Sequence, residues 1–237
     1  MIRAVFFDVG NTLIHAFPSV GEIYSSIGRK HGMLLAGDAV NASFKRSFLQ
    51  HSPSDLTDKA GERGWWKQVV WETIAPLCDP DDFEGFFDEL FDFFSEAAAW
   101  RLFPDVAPTL DRLRAMGLVL GVISNWDSRL LRTLDNLNLS PYFSVIAVSA
   151  LVGSAKPDAE IFRYALERAG VAPEQAIHIG DSVELDVQGA SECGIHALLI
   201  DRKDRFPENS AYARICSLEG VVSRSILHSG ERDHPVL

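Results

Sequence analysis

Two acidic positions stand where the chain must turn after short apolar runs. Asp8 follows Ala4-Val5-Phe6-Phe7 and leads into Val9-Gly10-Asn11-Thr12. Asp181 follows Ile177-His178-Ile179-Gly180, with Ser182 next to it and Asp186 five positions on. Runs of this kind read as buried strands, and in an open α/β sheet ligands bind at the carboxyl ends of such strands. Carboxylates gathered there repel one another unless a proton or a cation lies between them. A hard divalent ion such as Mg²⁺, together with a phosphate group, suits an all-oxygen donor set. The plainer alternative for Asp181 and Asp186 is turn and helix-cap duty, for which one short polar residue suffices.

Two more segments carry groups that an anion would need. The apolar run Leu118-Val119-Leu120-Gly121-Val122-Ile123 ends in Ser124-Asn125, a hydroxyl and an amide. Gly153-Ser154-Ala155-Lys156-Pro157-Asp158 then places a lysine just before a helical pattern. After Phe103-Pro104-Asp105, helical patterns (105–116, 158–169) alternate with strand runs (118–123, 143–149, 177–179, 196–200). Such alternation predicts a parallel sheet with crossover helices.

Residues 16–97 differ in character. Phe83, Phe86, Phe87, Leu90, Phe91 and Phe94 recur at spacings of three and four, and Trp65, Trp66, Val69 and Val70 do so one helix earlier. These stripes read as helix-bundle core. Pro53-Ser54-Asp55 and Asp79-Pro80-Asp81-Asp82 read as helix starts. The expected division is an α/β core of residues 1–15 plus 98–225, a helical insertion over 16–97 and a polar tail over 226–237. Flexible joints are expected near 14–20 and 96–104.

The ordered set of Asp8, Ser124, Lys156 and the Asp181/Asp186 pair resembles the motif set of the haloacid dehalogenase (HAD) superfamily. The run Ser124-Asn125-Trp126-Asp127 points to one branch of it. The resemblance covers most of residues 1–225. It implies a Rossmann-like HAD core whose helical cap closes over the sheet edge. It also implies a Mg²⁺-dependent phosphohydrolase acting on a small phosphorylated molecule, with Asp8 as nucleophile and Asp8, Gly10 (through its carbonyl), Asp181 and Asp186 as metal ligands. Ser124, Asn125 and Lys156 would hold the phosphoryl group, and Thr12 would be a hydroxyl of the phosphate loop. A cap of this kind can exclude water and select substrate by opening and closing.

The chain departs from that pattern at Gly10. Most phosphatases of the superfamily carry a second Asp there, as general acid and then base. Losing such a group costs about 10²–10⁴ in rate, so turnover is expected to be slow or narrow. His15, seven positions past Asp8, is the first candidate substitute, and Asp127 the second. Competing readings are a phosphate-ligand or partner-binding protein without turnover and a metal-free dehalogenase. A phosphonate hydrolase using a cap lysine (Lys30, Lys45, Lys59 or Lys67) is the remaining one.

Composition narrows the field. With 33 acidic against 22 basic residues the formal charge is −11, which argues against a nucleic-acid partner. No apolar run approaches the ~20 residues of a membrane span, and the strand beginning at once leaves no room for a signal peptide. Three cysteines, an odd count without metal-like spacing, read as free thiols of a reducing compartment. A soluble, cytoplasmic protein is therefore expected, with its oligomeric state open.

Overall fold

A computed structural model describes residues 1–51, 61–207 and 212–222. The helix start read at Pro53-Ser54-Asp55, Lys59 and the tail 226–237 lie outside the described residues. Six parallel strands form one sheet in the order β5-β4-β1-β6-β7-β8. They are β1 (Ala4–Phe7), β4 (Val119–Ser124), β5 (Val145–Val148), β6 (Ala176–Gly180), β7 (His196–Ile200) and β8 (Arg214–Ile215). Their near-continuous apolar runs suit strands covered on both faces.

The side-chain period of two sorts these residues into two cores. Val5, Phe7, Val122, Ile177 and Ile179 join one cluster with Val106, Leu110 and Leu113 of α5 (Val106–Ala115) and Leu130 and Leu134 of α6 (Leu130–Asn136). Ala4, Phe6, Ile123 and Ala176 join the other with Ile161, Phe162 and Ala165 of α8 (Ala159–Ala169). Short helices α7 (Ser149–Val152), α9 (Gly189–Glu192) and α10 (Glu219–Val222) complete the layers.

Between β1 and β4 in sequence lie four longer helices, α1 (Val20–Lys30), α2 (Gly37–Gln50), α3 (Glu62–Ile74) and α4 (Phe83–Phe93). Asp82 caps α4, accepting from the Gly85 amide at 2.9 Å. Tyr24, Val70, Ile74, Phe86, Phe87 and Leu90 make a core of their own. The two crossings between the sheet and the helical segment fall in the stretches expected as joints. β2 (Ile14–Ala16) and β3 (Trp100–Leu102) pair there as an antiparallel ribbon, because two strands crossing side by side satisfy each other's backbone groups.

Candidate active site

Three neighbouring strands end together. β1 pairs with β4 on one side and β6 on the other, with Phe7 opposite Val122 and Ile179. Asp8, one residue past Phe7, and Ser124 and Asp181, two past its partners, therefore meet at one edge. The Asp8 amide still donates to the Ile179 carbonyl at 2.8 Å, so the first turn residue is held in sheet register. Asn11 then takes a left-handed conformation (φ 56°), which Asn tolerates better than most residues.

Ser124 Oγ donates to Asp8 Oδ1 at 3.0 Å, and Lys156 Nζ donates to the same oxygen at 2.8 Å. Lys156 Nζ also donates to Asp186 Oδ1 at 2.5 Å. His178 Nε2 lies 2.9 Å from that Asp186 oxygen, and the Ser182 amide donates to Asp186 Oδ2 at 3.0 Å. Such close approach needs a glycine at 180: a Cβ there would lie 2.1 Å from the Asp186 carboxyl carbon. One oxygen each from Asp8, Asp181 and Asp186 lies within 4.8 Å of the others.

The charge balance is uneven. Burial alone would lower the Lys156 pKa, yet Asp186 and Asp8 hold it above the usual lysine value. Burial would raise Asp186, but Lys156 and His178 hold it well below. Asp8 is raised by burial beyond what Lys156 offsets, with Asp186 adding to the rise. Burial, then Asp8 and Asp186, push Asp181 up to about 7. One lysine thus faces three carboxylates, and Asp181, which it does not hydrogen-bond, is pushed toward its protonated form. Asp181 makes no hydrogen bond or ion pair among the described residues. Oxygen donors in this arrangement fit a hard cation of the Mg²⁺ type.

Other expected residues fall in different places. Asn125 lines the cavity above the site, but its amide is engaged with Lys156. Nδ2 donates to the Lys156 carbonyl at 2.8 Å and Oδ1 accepts from the Lys156 amide at 2.7 Å. It positions the lysine segment more than it reaches for phosphate. Thr12 is fully buried, its hydroxyl has no partner, and it does not line the cavity, so the expected contact with phosphate is not seen. Its carbonyl instead accepts from Arg202.

His15 does line the cavity. Its ring packs on Phe103 at 4.8 Å, and Nδ1 donates to the Ala16 carbonyl at 3.1 Å. Asp127 is excluded as a proton carrier. It is fully buried and both oxygens are taken, by Trp66 Nε1 at 2.6 Å and by the Arg129 guanidinium at 2.7 and 2.8 Å.

Sequence reading missed His178, which sits beneath Asp186 with its ring edge-on to Phe162 and burial holding its pKa down. An apolar strand with one His gives no sign of which carboxylate it faces. It also took the aromatic stripes for core alone. Phe87, Leu90, Phe91, Phe94, Trp66 and Val70 also wall a cavity of about 430 Å³ that has Asp8, Lys156 and Asp181 at its base. A broad apolar helix face can serve a core on one side and a cavity on the other, and periodicity does not separate the two.

A family model described as haloacid dehalogenase-like hydrolase matches residues 2–194. The chain belongs to this family. Haloacid dehalogenase-like hydrolase domain-containing protein 3 of Mus musculus is 36% identical over 205 residues, 84% of this chain and 82% of that protein. A protein of Thermus thermophilus named phosphoserine phosphatase is 37% identical over 245 residues, 93% of this chain and 98% of that one. A solved HAD phosphatase from Thermococcus onnurineus superposes with a TM-score of 0.70 at 26% identity, covering 98% of this chain and 100% of that one. This HAD-family hydrolase has no described helix long and apolar enough to cross a membrane.

Proposed function

We propose that the chain is a Mg²⁺-dependent phosphohydrolase acting on a small phosphomonoester through an aspartyl-phosphate at Asp8. The observation that carries this reading is the Lys156 ammonium shared between Asp8 and Asp186, with an Asp181 oxygen within 4.8 Å of theirs and no cation of the chain hydrogen-bonded to it among the described residues. Asp8, Asp181, Asp186 and the Gly10 carbonyl would hold the ion, which when bound supplies the charge that lets an anionic carboxylate approach an anionic phosphoryl group.

The chain's own groups do the rest. The Asp8 carboxylate attacks phosphorus, splitting one difficult displacement into two easier ones. Ser124 and Lys156 donate toward the phosphoryl oxygens, and the Asn125 clamp keeps the lysine in place. Asp186 holds the lysine through one oxygen while His178 and the Ser182 amide fix its own orientation. A metal-free dehalogenase would leave Asp181 beside Asp8 as an uncompensated acidic pair. Among the described lysines of the helical segment Lys45 alone lines the cavity, exposed at its mouth. Lys30 and Lys67 pair with Glu89 and Glu84 on the surface. The free cysteines fit a reducing, cytoplasmic setting.

Gly10 favours a second reading, a protein that binds a phosphorylated ligand without turning it over. One experiment separates the two: phosphate release from acetyl phosphate and p-nitrophenyl phosphate, with and without Mg²⁺, for wild type and Asp8→Asn. The expected result is Mg²⁺-dependent release that the substitution abolishes. Release unaffected by Asp8→Asn would refute the aspartyl-phosphate route, and folded protein with no release and no labelling of Asp8 would favour the binding reading.

A further inference from the structure

Resting on the phosphohydrolase reading, we propose that the substrate is an aryl phosphate, a phosphomonoester whose leaving group is a flat, apolar aromatic alcohol. Two independent features lead there. The first is the cavity above Asp8, whose volume of about 430 Å³ lies in the range of organic-ligand pockets. Trp66, Phe87, Phe91 and Phe94 from the α3 and α4 region line it together with Trp100 and Trp126, and Phe94, Trp100 and Trp126 form a run of touching rings with centroids 5.7 and 5.1 Å apart. Rings spaced this way stack on flat apolar groups and offer hydroxyl-rich ones little.

Away from the Asp8–Ser124–Lys156 end, the cavity's polar lining consists of Asn11, His15, Tyr24, Lys45 and Arg129. Arg129 reaches the wall but is spent on Asp127 and the Phe91 carbonyl, with its guanidinium 3.6 Å from the Phe91 ring centroid. Among the described residues, no acidic side chain lines the cavity apart from Asp8, Asp181 and Asp186. The ammonium of phosphoserine would therefore find no carboxylate partner except the catalytic ones, and sugar hydroxyls would be buried largely unpaired.

The second feature is Gly10. Without an acid at that position, the favoured leaving group departs as an anion, as aryl oxides do far more readily than alkoxides. An Asp8 oxygen bonds phosphorus as the P–O(aryl) bond breaks. The bonding pair leaves on the aryl oxygen, which takes its proton from water. A water molecule then attacks phosphorus, the bond to Asp8 breaks and phosphate departs, giving one aryl alcohol and one phosphate per water consumed.

The test compares 2-naphthyl phosphate with phenyl phosphate, whose leaving groups are similarly acidic, and with O-phosphoserine and glycerol phosphate. The naphthyl ester is expected to show kcat/KM about tenfold above phenyl phosphate, from the added ring surface, and at least a hundredfold above the two polar esters. Asp8→Asn protein with Mg²⁺ should bind naphthyl phosphate about tenfold more tightly than phenyl phosphate by calorimetry, and Phe94→Leu should shrink that preference. Equal binding and equal kcat/KM for the two aryl esters would overturn the proposal, as would phosphoserine outpacing both. Acetyl phosphate hydrolysis in that event would leave the phosphohydrolase reading standing. Preferential naphthyl binding without any turnover would uphold the ligand class and sink the phosphohydrolase reading instead.

Discussion

At the scale of single residues, the glycine at position 10 sets the expected rate. Nothing in its surroundings demands glycine: a Cβ there would meet only Trp126 Cζ3 at 3.5 Å, an ordinary contact, and its φ is not left-handed. Gly10→Asp should therefore fold normally and introduce the missing acid. Turnover of an alkyl phosphate is expected to rise on the order of 10²-fold, with a smaller gain for aryl phosphates that need less protonation. His15→Ala should lower turnover in the wild-type background and lose that effect in the Gly10→Asp background. An equal rise for alkyl and aryl esters would show that leaving-group protonation is not what position 10 limits.

Among the elements, α3 meets the loop after β4 through polar contacts at a cavity wall. Glu62, at the start of α3, is buried and accepts from the Ser128 amide at 2.9 Å and Ser128 Oγ at 2.7 Å. Trp66 one turn later donates to Asp127, and Arg129 reaches across to the Phe91 carbonyl of α4. One stretch, Ser124 to Arg129, thus carries the hydroxyl that donates to Asp8 at one end and contacts to the helical segment at the other. Glu62→Ala leaves the half-buried Ser128 amide and hydroxyl without their carboxylate, a loss of about 1 kcal/mol. The melting temperature should fall by several degrees, and KM for an aryl phosphate should rise more than kcat falls. A fall in kcat alone would mean that this contact does not shape the cavity.

For the whole molecule, pH and Mg²⁺ are expected to act through the same carboxylates. Asp181 in the folded protein holds its proton up to about 7, against an ordinary value of 3.8. Its folded pKa is raised, so its contribution to stability is greatest below 3.8 and is lost as pH rises through 7. Asp186 runs the other way, contributing above 3.8 and losing that contribution only as pH falls below it. Between about pH 5.5 and 8, the metal-free wild type should lose more thermal stability than Asp181→Asn does. Mg²⁺ should restore it, by roughly 5–10 °C at a hundredfold excess over Kd. The gain should be larger at the alkaline end of that range than at the acid end, because ion and proton compete for the same carboxylate. A Mg²⁺ shift that Asp181→Asn leaves intact would remove Asp181 from the ion site.

The sequence by itself determined the parts that depend on local pattern. Apolar runs closed by Asp8, Ser124 and Asp181 are strands ending at a ligand-binding edge, because period and turn chemistry are written within a few residues of one another. The parallel sheet and the inserted helices followed from the order of those patterns. Tertiary structure decided what depends on which distant groups meet. Asn125 clamps the Lys156 backbone, Asp127 is consumed by Trp66 and Arg129, His178 lies under Asp186, and residues 14–16 pair with 100–102 as a ribbon. No local spacing encodes those partners. The aromatic stripe shows the limit most clearly. Its spacing fixed a helix with an apolar face, but only the packing of α3 and α4 against the loop after β4 left part of that face bordering a cavity instead of another side chain.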